Sequence, residues 1–361
     1  MRRRNLSSIA TATLLVAVAA CATPGTGDPR ISERRPVVSH AAEPGERHLA
    51  NIRQLTFGGE NAEAYWSADG AHLIFQSTRD GRSCDQQFVM DADGGNLRRV
   101  STGAGKTTCG YFFDRDRRIF FSSTHHADSA CPPRPDFSRG YVWRLDPFDI
   151  YTASANGHEL RRLTSWNAYT AEGTLSPDGT RIVFTSTKDG DLEIYTMRTD
   201  GSDVRRLTTT PGYDGGAFFS PDGSQIVYRA HHPADSAALA EYQALLRQGL
   251  VRPSRMEIWV MNADGTNQRQ VTSLGGANFA PFFTPDGRRI IFASNHTNPR
   301  GRDFDLYLVA LDGSGLERVT MHADFDSFPM FSPDGKRLVW ASNRHAAQQG
   351  ETNIFVADWR E

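Results

Sequence analysis

The chain repeats itself, and that repetition constrains its fold more than any other feature. Ser176-Pro177-Asp178-Gly179, Ser220-Pro221-Asp222-Gly223, Thr284-Pro285-Asp286-Gly287 and Ser332-Pro333-Asp334-Gly335 are four copies of one tetrapeptide. Ser67-Ala68-Asp69-Gly70 is a fifth and Asp114-Arg115-Asp116-Arg117 a decayed sixth, the third-position Asp residues lying 47, 62, 44, 64 and 48 apart. A second marker keeps step with the first: Leu55-Thr56, Val100-Ser101, Leu163-Thr164, Leu207-Thr208, Val271-Thr272 and Val319-Thr320.

Each unit reads as four short strands. In the third, Gly173–Leu175 leads into Pro-Asp-Gly, where Pro pre-sets one φ and Gly supplies a positive φ without steric cost. Arg181–Ser186 alternates as a second strand, Leu192–Met197 is a third and Val204–Thr208 a fourth, with Asp-Gly turns between them. Six such units of about 45 residues predict an all-β, six-bladed propeller with four antiparallel strands per blade. The last unit stops after its third strand, Asn353–Ala357, whereas an orphan fourth strand, Leu49–Thr56, precedes the first turn. The N-terminal strand is therefore expected to complete the last blade and remove an exposed sheet edge.

Ahead of the repeats, Arg2-Arg3-Arg4 is followed by a 12-residue apolar run, Ile9–Ala20. That run is too short to span a bilayer, which takes about 20 residues, and reads as a signal peptide over residues 1–20. It ends Val18-Ala19-Ala20-Cys21, which resembles the bacterial lipobox and implies lipidation of Cys21. Residues 21–46 are rich in Pro, Gly and charge and read as a flexible tether, leaving residues 47–361 for the propeller. The expected location is the periplasm-facing surface of a membrane, with Ala22 compatible with the outer membrane. Contact with the membrane is expected through the lipid alone.

Arg-x-Leu-Thr, Ser-Pro-Asp-Gly and Ile-Tyr-x-Met-x-x-Asp-Gly recurring in that order resemble the TolB-type β-propeller repeat over about residues 47–361. TolB carries an α/β domain before its propeller, and only the tether precedes the propeller here. A related propeller in oligogalacturonate lyases uses a His-based metal site.

Net charge is −2, and removing residues 1–20, with three Arg and no acid, lowers it by three to −5. Such a chain lacks the clustered basic surface that nucleic acid requires. Neither His-Glu-x-x-His nor Gly-x-Ser-x-Gly occurs. The Pro-Asp-Gly turns are short and repetitive, so function is expected on the opposite face, which carries the loops between strands two and three. Two of those loops are long, His125–Pro147 in blade two and His231–Met256 in blade four, and predict a notch over blade three.

Candidate binding residues on that face are His125, His126, His231, His232, His296 and His345, with Glu63, Glu172, Asp214 and Asp326. His126, His231, His232, His296 and His345 are the candidate ligands of a divalent metal, although no cofactor is required by the pattern. Tyr141 and Trp143, interleaved with Arg134, Arg139 and Arg144 in the blade-two flap, suit recognition of a protein or peptide. In the blade-four flap Ser236 is expected to cap a helix over Ala237–Gln248 that presents Leu239, Tyr242 and Leu246 on one face. Cys84, Cys109 and Cys131 leave one thiol over if one disulfide forms, with the pairing open. The expected function is a lipid-anchored module binding an envelope protein or peptide. The alternative is a metal-dependent lyase or hydrolase acting on polysaccharide or peptide.

Overall fold

The computed structural model describes residues 36–138 and 140–361, so the expected signal peptide, Cys21 and the first part of the tether lie outside the described residues. Six antiparallel sheets form the blades, and their innermost strands touch in a closed ring around a central channel. Blade three is typical: Thr170–Leu175, Arg181–Ser186, Glu193–Arg198 and Arg205–Arg206 pair in that order.

The two sequence markers have separate jobs. In the turn, the Ser or Thr hydroxyl of residues 67, 176, 220, 284 and 332 donates to the Asp carboxylate two residues on, at 2.6 Å. The Gly amide returns to the same residue's carbonyl at 2.8–3.0 Å. These bonds stabilise the charged carboxylates and hold their pKa values below the usual range. In the second marker, the Thr or Ser hydroxyl fastens the fourth strand to the third. Amides of Gln87, Ile150, Ile194, Ile258 and Leu306 donate to Ser101, Thr164, Thr208, Thr272 and Thr320 at 2.8–3.0 Å.

Closure follows the sequence expectation. Leu49–Gln54 pairs antiparallel with Asn353–Trp359, Leu49 opposite Trp359 and Gln54 opposite Phe355. Closure also goes further than expected, because the tether is not free up to residue 46. Val38–His40 adds a fifth strand to the closing blade, with Val38 opposite Gln54. Glu46 is buried, and its carboxylate pairs with the Arg344 guanidinium at 2.9 Å. A segment without apolar periodicity is ordered here by a long-range ion pair and a sheet edge.

Candidate functional site

Every innermost strand carries a β-bulge, and one residue in each adopts a left-handed backbone: Glu63, Cys109, Glu172, Gly216, Ala280 and Phe328, with φ between 49° and 62°. A bulge re-aims the side chain it carries, at some cost for residues other than Gly. The six positions form one ring at the channel, and their chemistry is lopsided. Blades one to four supply two carboxylates, a thiol and a glycine; blades five and six supply Ala280 and Phe328.

Within the polar half, the Cys109 thiol donates to Glu63 Oε2 at 2.8 Å. Glu172 forms an ion pair with Arg229 and accepts from the Thr185 hydroxyl at 2.7 Å and from the Gly216 amide at 2.8 Å. Gly216 is required there, because a Cβ would sit 2.0 Å from Arg229 Nη1. Arg229 also donates through Nε to the Tyr213 hydroxyl at 3.0 Å. Burial, joined by repulsion from Glu172, pushes the Glu63 carboxyl up to about 7, and burial raises the Cys109 thiol as well. Glu63 and Glu172 thus occupy the equivalent positions expected from sequence. Cys109 and Arg229 were not anticipated as part of the group. A positional signal did exist: in five of the six blades the bulge residue stands four places before the turn's Ser or Thr.

The candidate histidines of blades two, four, five and six are not brought together into one group. In every blade a side chain just beyond the second strand rests on an aromatic ring of the third. The pairs are Arg79 on Phe88, His125 on Tyr151, Lys188 on Tyr195, His232 on Trp259, His296 on Tyr307 and Arg344 on Phe355. His125, His232 and His296 therefore fill a packing position that Arg or Lys fills elsewhere. His126 Nε2 lies 3.1 Å from the Asp149 carboxylate, and His231 Nδ1 lies 3.1 Å from the Arg255 carbonyl. Burial lowers the pKa of both. His345 stacks on His40 at 3.9 Å. Asp214 bonds His232 at 3.0 Å; Asp326 is buried against Arg344 at 2.9 Å and accepts from Trp340 Nε1 at 3.1 Å. Among the described residues no group of three or more His, Cys, Asp or Glu side chains is arranged to hold a metal ion.

The expected notch over blade three is covered. The two flaps reach across it and pair with each other, Trp143–Arg144 against Leu250–Val251. Beneath the ribbon the blade-four helix, Ser236–Leu246, packs Leu239, Tyr242 and Leu246 against Leu192, Tyr213 and Trp143. Its N-cap is Asp235 rather than Ser236, with the Asp235 carboxylate accepting the Ala238 amide at 2.8 Å. The apolar stripe thus docks on its own protein. Cys84 and Cys131 form the disulfide, leaving Cys109 free, and clip the start of the blade-two flap to blade one. Between that clip and the ribbon, Phe137 and Tyr141 stack at 5.6 Å and stay 47% and 59% exposed.

Six four-stranded units closed by the N-terminal strand, around a channel roofed on its long-loop face, define a six-bladed β-propeller. The chain belongs to the TolB beta propeller domain family, whose model matches residues 141–249 and 250–360. Comparison with curated proteins finds no sequence match. Among solved structures, the chain is similar to a protein designated TolB from Agrobacterium tumefaciens, at 20% identity over 84% of this chain and 91% of that one, with a TM-score of 0.55. It is similar to a gluconolactonase from Xanthomonas campestris at 14% identity, 92% and 99% coverage and a TM-score of 0.60. An oligogalacturonate lyase in complex with manganese matches at 15% identity, 92% and 99% coverage and a TM-score of 0.52. These likenesses establish the fold, which serves binding and catalytic propellers alike. No helix among the described residues is long and apolar enough to cross a membrane.

Proposed function

We propose that the protein is a binding module that captures an extended segment of an envelope protein or peptide on its long-loop face, held at the periplasmic side of a membrane by lipid on Cys21. One observation carries the binding reading: the stacked, exposed Phe137–Tyr141 pair on the blade-two arch. Most aromatic side chains of the propeller are buried in the blades, so two large rings left in water side by side mark a recognition surface. The arch is held at one end by the Cys84–Cys131 disulfide and at the other by the ribbon, so its rings are positioned before a partner arrives. Arg134 and Arg144 lie on the same arch and are held by the protein's own carboxylates, Arg134 at 3.3 Å from Glu60 and Arg144 at 2.7 Å from Asp146. Membership of the TolB propeller family is consistent with a protein-interaction role.

A displayed peptide library panned on the full chain tests the reading. Enriched peptides should lose at least tenfold in affinity against a Phe137→Ala/Tyr141→Ala variant. Absence of enrichment, or equal binding to the variant, would sink it.

A further inference from the structure

We propose that the ribbon joining the two flaps is a lid, plugged by Trp143, over an enclosed polar chamber in the propeller channel. The plug spans three blades. Trp143 arrives on the blade-two flap and meets Tyr213 of blade four and Phe279 of blade five edge-on, each at 6.4 Å. The Arg229 guanidinium lies 5.2 Å from its ring. At the other end of the channel, Tyr65 meets Phe218 at 5.6 Å, Phe218 meets Phe282 at 5.2 Å and Tyr65 meets Tyr111 at 5.7 Å, which closes the floor. Glu63, Cys109, Glu172 and Arg229 lie between this floor and the plug.

Ring closure does not need the three polar bulge residues, Glu63, Cys109 and Glu172. Blades five and six fill the same bulge positions with Ala280 and Phe328, and Phe328 packs on Phe279 at 5.8 Å. Burying carboxylates and a guanidinium costs free energy that an apolar lining would avoid. A polar chamber beneath an aromatic plug is therefore a feature additional to the scaffold.

The ribbon is also built to part. It has two residue pairs, supplemented by the Leu145 amide donating to the Gly249 carbonyl at 2.8 Å. Gly140 (φ 101°) and Gly249 (φ 67°) stand just before the two ribbon strands, where backbone rotation is least hindered. So short a pairing belongs to the low end of local stability within a folded domain. Opening swings Trp143 away from Arg229 and exposes the chamber, whatever segment occupies the arch.

Cys109 is a reporter already in place. In the full chain carrying Cys21→Ala, alkylation of Cys109 by N-ethylmaleimide is followed by mass spectrometry of its peptide at pH 8.5. Trp143→Ala should speed the reaction at least tenfold. A disulfide across the paired positions, made by Arg144→Cys with Leu250→Cys, should slow it at least tenfold below the parent. Because the second variant strengthens the fold locally, misfolding cannot mimic both results. Equal rates in all three proteins, or reaction only at the rate of global unfolding in urea, would overturn the lid.

Discussion

The hydroxyl of Thr56 accepts the backbone amide of Ile354 at 2.8 Å, across 298 residues of chain. The same bond recurs inside each of the other five blades, where donor and acceptor are only 14 residues apart. One local fastening has thus been re-used to close the ring. Its Oγ1 also donates to Asn353 Oδ1 at 3.2 Å, so the closing strand is held on both sides of the same hydroxyl.

Thr56→Val should consequently destabilise the protein by about 1–2 kcal/mol, through a buried amide left without its acceptor. Thr208→Val, the equivalent change within blade three, should cost a similar amount. Deleting residues up to Thr56 should do far more, exposing an edge of blade six and promoting aggregation. Urea unfolding of the two point variants and thermal melting of the deletion check this; unchanged melting would refute closure by the N-terminal strand.

Arg344 is the buried partner of both Glu46 and Asp326, with the three side chains 2%, 0% and 0% exposed. Arg344→Met should leave two carboxylates buried without a counter-charge and cost about 3–5 kcal/mol. Residues 36–46 should become exchange-labile first, because Glu46 is their anchor. Hydrogen exchange of that segment is the measurement.

Glu63 titrates near 7 in the folded chain against an ordinary value of 4.5. The folded state therefore holds a proton that the unfolded state releases, and this group's contribution to stability declines as pH rises from about 4.5 to 7. Glu63→Gln should remove that decline and make the variant more stable than the parent at pH 8, by about 1–3 kcal/mol. Below pH 4.5 the two should converge. Urea midpoints at several pH values compare them, and identical pH slopes would contradict a raised Glu63.

The dispersed histidines predict that chelation leaves the melting temperature unchanged and that His231→Ala/His232→Ala confers no change in chelator sensitivity. Metal analysis of the purified protein gives the complementary reading. One bound metal per chain together with a chelator-induced drop in melting would favour the metal-dependent alternative, since a ligand bound only to the folded state stabilises it.

Cys21→Ser should release the protein from the membrane into the soluble envelope fraction. Continued partition of the variant with membranes would mean a different attachment and remove the lipid from the proposed function.

The sequence by itself determined the blades. Turn and clasp each join groups close in the chain, so Ser-Pro-Asp-Gly and Leu-Thr recur at readable intervals, and even the missing fourth strand of the last blade could be located. It also placed Glu63 and Glu172 at equivalent positions. Tertiary structure decided the rest, because the contacts concerned join residues with no fixed spacing. Cys84 met Cys131 rather than Cys109, Trp143–Arg144 paired with Leu250–Val251 across what looked like an open notch, and Glu46 was drawn in by Arg344. The histidines show the difference most clearly. Their recurrence was legible, but its cause was packing of one basic or imidazole side chain on each blade's own aromatic ring, and repetition around a ring keeps such positions apart rather than gathering them.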